Sequence, residues 1–132
     1  MDIVKVVAYW VTLADSKWKT AIALLEKERF ADCLFFCHLT IECLLKAMVA
    51  NNTGEQAKPI HNLVRLAEIA GIQISPEHKE LLEEITEFNM EARYPEEKFA
   101  FFKKATNEFT RQYVSKTEQL IVWLKNLLEN KQ

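Results

Sequence analysis

The chain has 132 residues, 49% of them hydrophobic and 27% charged, with a formal net charge of −2. That composition is too apolar for disorder and long enough to bury one working core, so a single domain over 1–132 is expected. The charge excludes a protein that coats nucleic acid by bulk electrostatics, and two glycines with three prolines are too few for the turns of a β-rich fold.

The first residues, MDIVKVVAYW, do not read as a signal peptide, because Asp2 and Lys5 interrupt the apolar run. No uncharged apolar stretch reaches the ~18 residues that a membrane span requires. Cys33, Cys37 and Cys43 all fall in one helical segment, a poor disulfide framework that fits a reducing cytoplasm.

From Val4 to about Glu28, Val7, Trp10, Val11, Ala14, Trp18, Ala21, Ile22 and Leu25 recur at helical spacing. The next segment carries Phe30, Leu34, Cys37, Ile41, Leu44 and Met48 on one side and Phe36, Cys43 and Ala47 on the other. A helix apolar on two faces has neighbours on both, which places it at the centre of a bundle or in a subunit interface. It ends at Asn51-Asn52-Thr53-Gly54.

A short helix follows over Ile60–Gly71, with Gly71 as its C-terminal stop. Ser75-Pro76-Glu77 opens another, with serine as cap, proline in the first turn and an early carboxylate. Leu81, Leu82, Ile85, Phe88 and Ala92 form its buried face, and Pro95 stops it with Tyr94 extended. A last long helix is expected from near Lys103 to about Glu129. The reading is all-α: an up-and-down bundle of about five helices, three long and two short.

Few residues carry chemistry. His38, Glu42 and Lys46 stand at i, i+4 and i+8, a slowly drifting ridge on the central helix. Glu42 and Lys46 read either as an ordinary helix pair worth a few tenths of a kcal/mol, or as part of a phosphate-binding pocket with His38. His61, after Pro59 and Ile60, would cap, pack or meet an anion at a helix start. "EARYPEE" (91–97) reads as a plain helix stop or as a rigid corner presenting Arg93 and Tyr94 to a ligand. The three histidines and three thiols offer no four-ligand metal set, and neither a glycine-rich phosphate loop nor a legible catalytic triad is present.

Three stretches together resemble the HEPN domain family: CHLTIECLLKAMV (37–49), in which Glu42 precedes Lys46-Ala47; IHNLVRLAEIAG (60–71), with Asn62 where the family usually has Asp; and ARYP (92–95). The resemblance runs over nearly the whole chain. It implies a five-helix bundle, commonly a homodimer, that binds a nucleotide or RNA and is often partnered with a small nucleotidyltransferase in toxin–antitoxin pairs. It makes Lys46, His61, Arg93 and Tyr94, with Glu42, the candidate ligand-binding residues, and implies no cofactor and no metal.

Some HEPN proteins are metal-independent ribonucleases whose motif is arginine, four to six residues, then histidine. After Arg93 the corresponding positions hold Lys98, Phe99 and Ala100, and no histidine here has an arginine five to seven residues before it. The motif is absent, which favours a non-catalytic module. Two rivals remain: a divergent ribonuclease pairing Arg93 with His61, and a structural interaction protein that dimerises through the apolar back of the central helix, at Phe36 and Cys43.

Overall fold

The computed structural model describes residues 1–130, and those residues form six helices and no strand. α1 (Ile3–Glu26) starts where the Asp2 carboxylate accepts the Lys5 backbone N–H. Its exit is tight: Glu28 takes a positive φ of 59° and the chain turns back at once into α2 (Phe30–Thr53). Gly54 ends α2 in the left-handed conformation, φ 75°, with its N–H on the Ala50 carbonyl.

α2 is the hub, packing most extensively on α1, then on α6 and α3, with smaller contacts to α4 and α5. From Thr40 through Ala50 every residue is buried. An 18-residue window of α2 reaches a mean hydropathy of 1.7, high enough for a membrane span by composition, but 83% of it is buried inside the bundle. Its apolarity is therefore satisfied by the core. The two-faced pattern has the central-bundle explanation: Cys43 is buried within one chain, in the core cluster that also contains Ala14 of α1. The back of the central helix is thus covered and is not left for a partner at Cys43.

The short elements differ in part from expectation. α3 spans Leu63–Ala70 and not Ile60 onward, because the Asn62 side chain caps it by accepting the Arg65 N–H at 3.0 Å. Ile60 and His61 consequently lie before the helix. α3 closes at Gly71, φ 73°, as its sequence implies. α4 (Pro76–Thr86) starts at Ser75, whose Oγ accepts the His78 N–H, and stops eight residues before Tyr94. Ala92 is exposed, while Phe88 still packs inside.

The expectation of two short helices was one too few. Pro95 does end the preceding irregular stretch, but it also occupies the first position of α5 (Pro95–Lys104). Glu96 and Glu97 in its first turn and Lys103 and Lys104 in its last match the helix dipole. α6 runs Asn107–Asn130, beginning after Lys103 because the Thr106 hydroxyl accepts the Phe109 N–H and separates it from α5. Phe88 joins these parts, its ring 5.3–6.1 Å from those of Phe101, Phe109 and Tyr113.

Candidate functional site

Helical periodicity puts His38, Glu42 and Lys46 on one ridge of α2, and the fold buries all three. A carboxylate and an ammonium taken out of water must satisfy each other, and they do. Lys46 Nζ donates to Glu42 Oε2 at 2.9 Å and lies 5.2 Å from the centre of the Trp10 ring on α1. The pair is therefore an internal ion pair, a different object from the solvated helix pair whose worth is a few tenths of a kcal/mol.

The second carboxylate oxygen reaches out of the helix. His61 Nδ1–H donates to Glu42 Oε1 at 2.9 Å, while the His61 side chain stays 55% exposed. The backbone of His61 is also held: His38 Nε2–H donates to its carbonyl oxygen at 3.1 Å. Burial holds the His38 imidazole below its ordinary protonation range, and its Nδ1 has no partner. Next along the chain, the Leu63 N–H is fixed by the Thr86 hydroxyl at 3.2 Å, which ties the start of α3 to the end of α4.

The result is one imidazole aimed by a buried carboxylate. With Nδ1 occupied, Nε2 of His61 has no partner among the described residues, on a side chain that is 55% exposed. Such a nitrogen offers a proton to an anion when the ring is charged, or accepts one when it is neutral.

Arg93 and Tyr94 take partners other than the residues of this cluster. Arg93 donates to Glu87 at 2.7 Å and to Glu97 at 3.2 Å, and those two carboxylates raise its already high pKa. It shares no hydrogen bond or ion pair with His61, Lys46 or Glu42 among the described residues. Tyr94 is extended, as expected before a proline, and 74% exposed. Its N–H donates to Glu97 Oε1 at 3.3 Å, so Glu97 binds both residues of the corner. The corner is a bonded structure in its own right. Of the five candidates, Glu42, Lys46 and His61 are brought together, and Arg93 with Tyr94 forms a second group.

A cleft of about 350 Å³ lies next in the chain to His61, lined by Asn62 and Arg65 of the α3 start and by Thr86 and Glu87 at the end of α4. Glu68 and Glu83 also line it, so it is acidic. Sequence reasoning missed Trp10, which looked like one more apolar position of α1, and gave no anchoring role to His38. Neither has a signal in one dimension, since both depend on what lies opposite them. Cys33, Cys37 and Cys43 are free, buried thiols, and among the described residues no three His, Cys, Asp or Glu side chains gather with metal-ligand geometry.

A family model described as HEPN domain matches residues 7–127, nearly the whole chain. No curated protein and no solved structure matches it.

Proposed function

The chain belongs to the HEPN domain family, and from that premise we propose that it is a non-catalytic HEPN module that takes the phosphate of a nucleotide at His61. In this reading it works as the partner of a small nucleotidyltransferase. One observation carries the reading: the buried Glu42 carboxylate fixes His61 through Nδ1 and leaves Nε2 exposed. A charged ring so oriented donates a charge-assisted hydrogen bond to a phosphate oxygen without first losing rotamer freedom.

Electrostatics decide which side the phosphate occupies. Glu68, Glu83 and Glu87 repel it from the neighbouring cleft, so it approaches His61 from the opposite flank. Lys46 contributes through Glu42 and not by contact, because its ammonium is already paired and under Trp10. Tyr94 has an exposed ring on which a base could stack, whereas a phosphate could use Arg93 only by displacing Glu87 or Glu97.

Binding is favoured over turnover for a related reason. General acid–base cleavage needs a second group beside the imidazole. Arg93, the residue the ribonuclease alternative requires there, is held by two carboxylates, Glu87 and Glu97, and has no bond to His61.

The test is calorimetric titration of ATP, GTP and CTP into the wild type, His61→Ala and Arg93→Ala. Saturable binding lost in His61→Ala and little changed in Arg93→Ala supports the proposal. Absent binding, or binding indifferent to His61, removes it. Metal-independent RNA cleavage abolished by His61→Ala would transfer the site to the ribonuclease reading.

A further inference from the structure

A side chain built to act as a nucleophile is bonded to a base that a third group holds in place. His61, Glu42 and Lys46 have that arrangement. Glu42 Oε1 accepts the His61 Nδ1–H at 2.9 Å, and Glu42 Oε2 accepts the Lys46 ammonium at 2.9 Å. The backbone around the ring is tethered twice more, the His61 carbonyl by His38 and the Leu63 N–H by Thr86. A ring that served only to hold the chain would need its Nδ1 bond and nothing else. This one is 55% exposed and keeps a second nitrogen without a partner among the described residues. The other histidines differ. His38 is wholly buried, and the His78 ring stacks on Trp123 with centres 4.0 Å apart.

We propose that His61 is a phosphoryl acceptor, its Nε2 taking the phosphoryl group of a small donor with a good leaving group, an acyl phosphate or a phosphoramidate. In the neutral ring with its proton on Nδ1, the Nε2 lone pair attacks phosphorus. The N–P bond forms, the bond from phosphorus to the leaving group breaks, and that electron pair departs with the leaving group. The proton stays on Nδ1, so the positive charge that develops on the ring is met by the Glu42 carboxylate bonded there. Glu42 is thus a positioning residue: it fixes the tautomer and raises the basicity of the free nitrogen, as a carboxylate behind a metal-bound histidine does. His61 also precedes α3 by two residues, and the positive end of that helix favours the negative charge of the transferred group. The reaction uses the ring of the nucleotide reading in its neutral form and needs neither base nor ribose, so either reading can fail without the other.

The test is incubation of the full chain with phosphoramidate at about pH 8, above the ~6.5 at which an ordinary imidazole is half protonated. Intact mass and phosphorus NMR read the product. One phosphoryl group is expected, on Nε2 of His61, labile in acid and absent from His61→Gln. His61 is expected to react at least about tenfold faster than His78, and Glu42→Gln to slow His61 by about ten- to a hundredfold.

Circular dichroism checks that Glu42→Gln keeps its helices. If it does not, the ratio of His61 to His78 labelling and the identity of the labelled nitrogen, both read in the wild type, decide the matter. Four results overturn the proposal: no phosphoryl group retained, His78 labelled as fast as His61, the group on Nδ1 of His61, or an unchanged rate in folded Glu42→Gln. A wild type that takes the label but ignores ATP, GTP and CTP keeps this proposal and loses the nucleotide reading, and the reverse result does the opposite.

Discussion

Removing the Glu42 carboxylate perturbs stability and the site together. In Glu42→Leu, Lys46 keeps a buried ammonium whose remaining partner is the Trp10 ring, 5.2 Å away. Stranding one member of a buried pair costs about 3–5 kcal/mol, and because the Trp10 ring still faces the ammonium the cost falls at the lower end of that range. The expected net loss is therefore about 3 kcal/mol, a large share of the ~5–15 kcal/mol that a domain has in total.

Lys46→Met costs less, about 2 kcal/mol, because Glu42 retains the His61 N–H at 2.9 Å. With both charges gone no ion is stranded, so the double variant is expected to lose only about 2 kcal/mol. The cycle then closes on a coupling of about 3 kcal/mol, measurable from urea midpoints of the four proteins. Single costs that add to within about 0.5 kcal/mol would refute the argument, since they would mean the two groups are solvated and independent.

Three further outcomes are expected. His38 is held neutral by burial, so the unfolded chain takes up a proton that the folded chain resists. Stability is then complete above about pH 6.5 and falls as pH drops below it, by at most ~1.4 kcal/mol per pH unit, until the lowered folded value is reached. Urea midpoints between pH 7.5 and 5 should show that slope in the wild type and lose it in His38→Gln, and an unchanged slope contradicts the assignment. Arg93→Met should cost only about 0.5–1 kcal/mol and less in 1 M salt, because Glu87 and Glu97 are 68% and 47% exposed. A loss above about 2 kcal/mol would show that these pairs hold the corner more strongly than exposed ions can. Phe88→Ala should cost about 3–5 kcal/mol by thermal or chemical unfolding, as it empties the centre of the Phe101, Phe109 and Tyr113 group.

Where local chemistry acts alone, the amino-acid sequence was a reliable guide. The i, i+3, i+4 stripe of α2 became a buried face and that of α1 a half-buried one, and Ser75-Pro76, Gly54 and Gly71 punctuate the helices as their backbone preferences dictate. The two-sided apolarity of α2 also gave its central place. Pro95 was harder, since a proline both ends the segment before it and suits the first turn of a new helix. The carboxylates Glu96 and Glu97 after it were the overlooked signal for α5. Thr106 was similar, a short cap without glycine or proline beside it.

The site was legible only in its local half. Spacing alone set His38, Glu42 and Lys46 on one ridge, but its burial involves Trp10 from α1 and the role proposed for it depends on His61, which arrives from the α2–α3 connection. No one-dimensional pattern reports those distances. The grouping of Arg93 with His61 came from family resemblance. In this chain Glu87 and Glu97, both in ordinary surface positions, take up the guanidinium.

The most direct measurement is the nitrogen spectrum of the three histidine rings as a nucleotide is added. His61 should show Nδ1 protonated against Glu42, and its Nε2 resonance should move saturably with the nucleotide while that of His78 stays still. A His61 ring that samples both tautomers equally, or an Nε2 resonance that ignores the nucleotide at saturating concentration, would contradict the account.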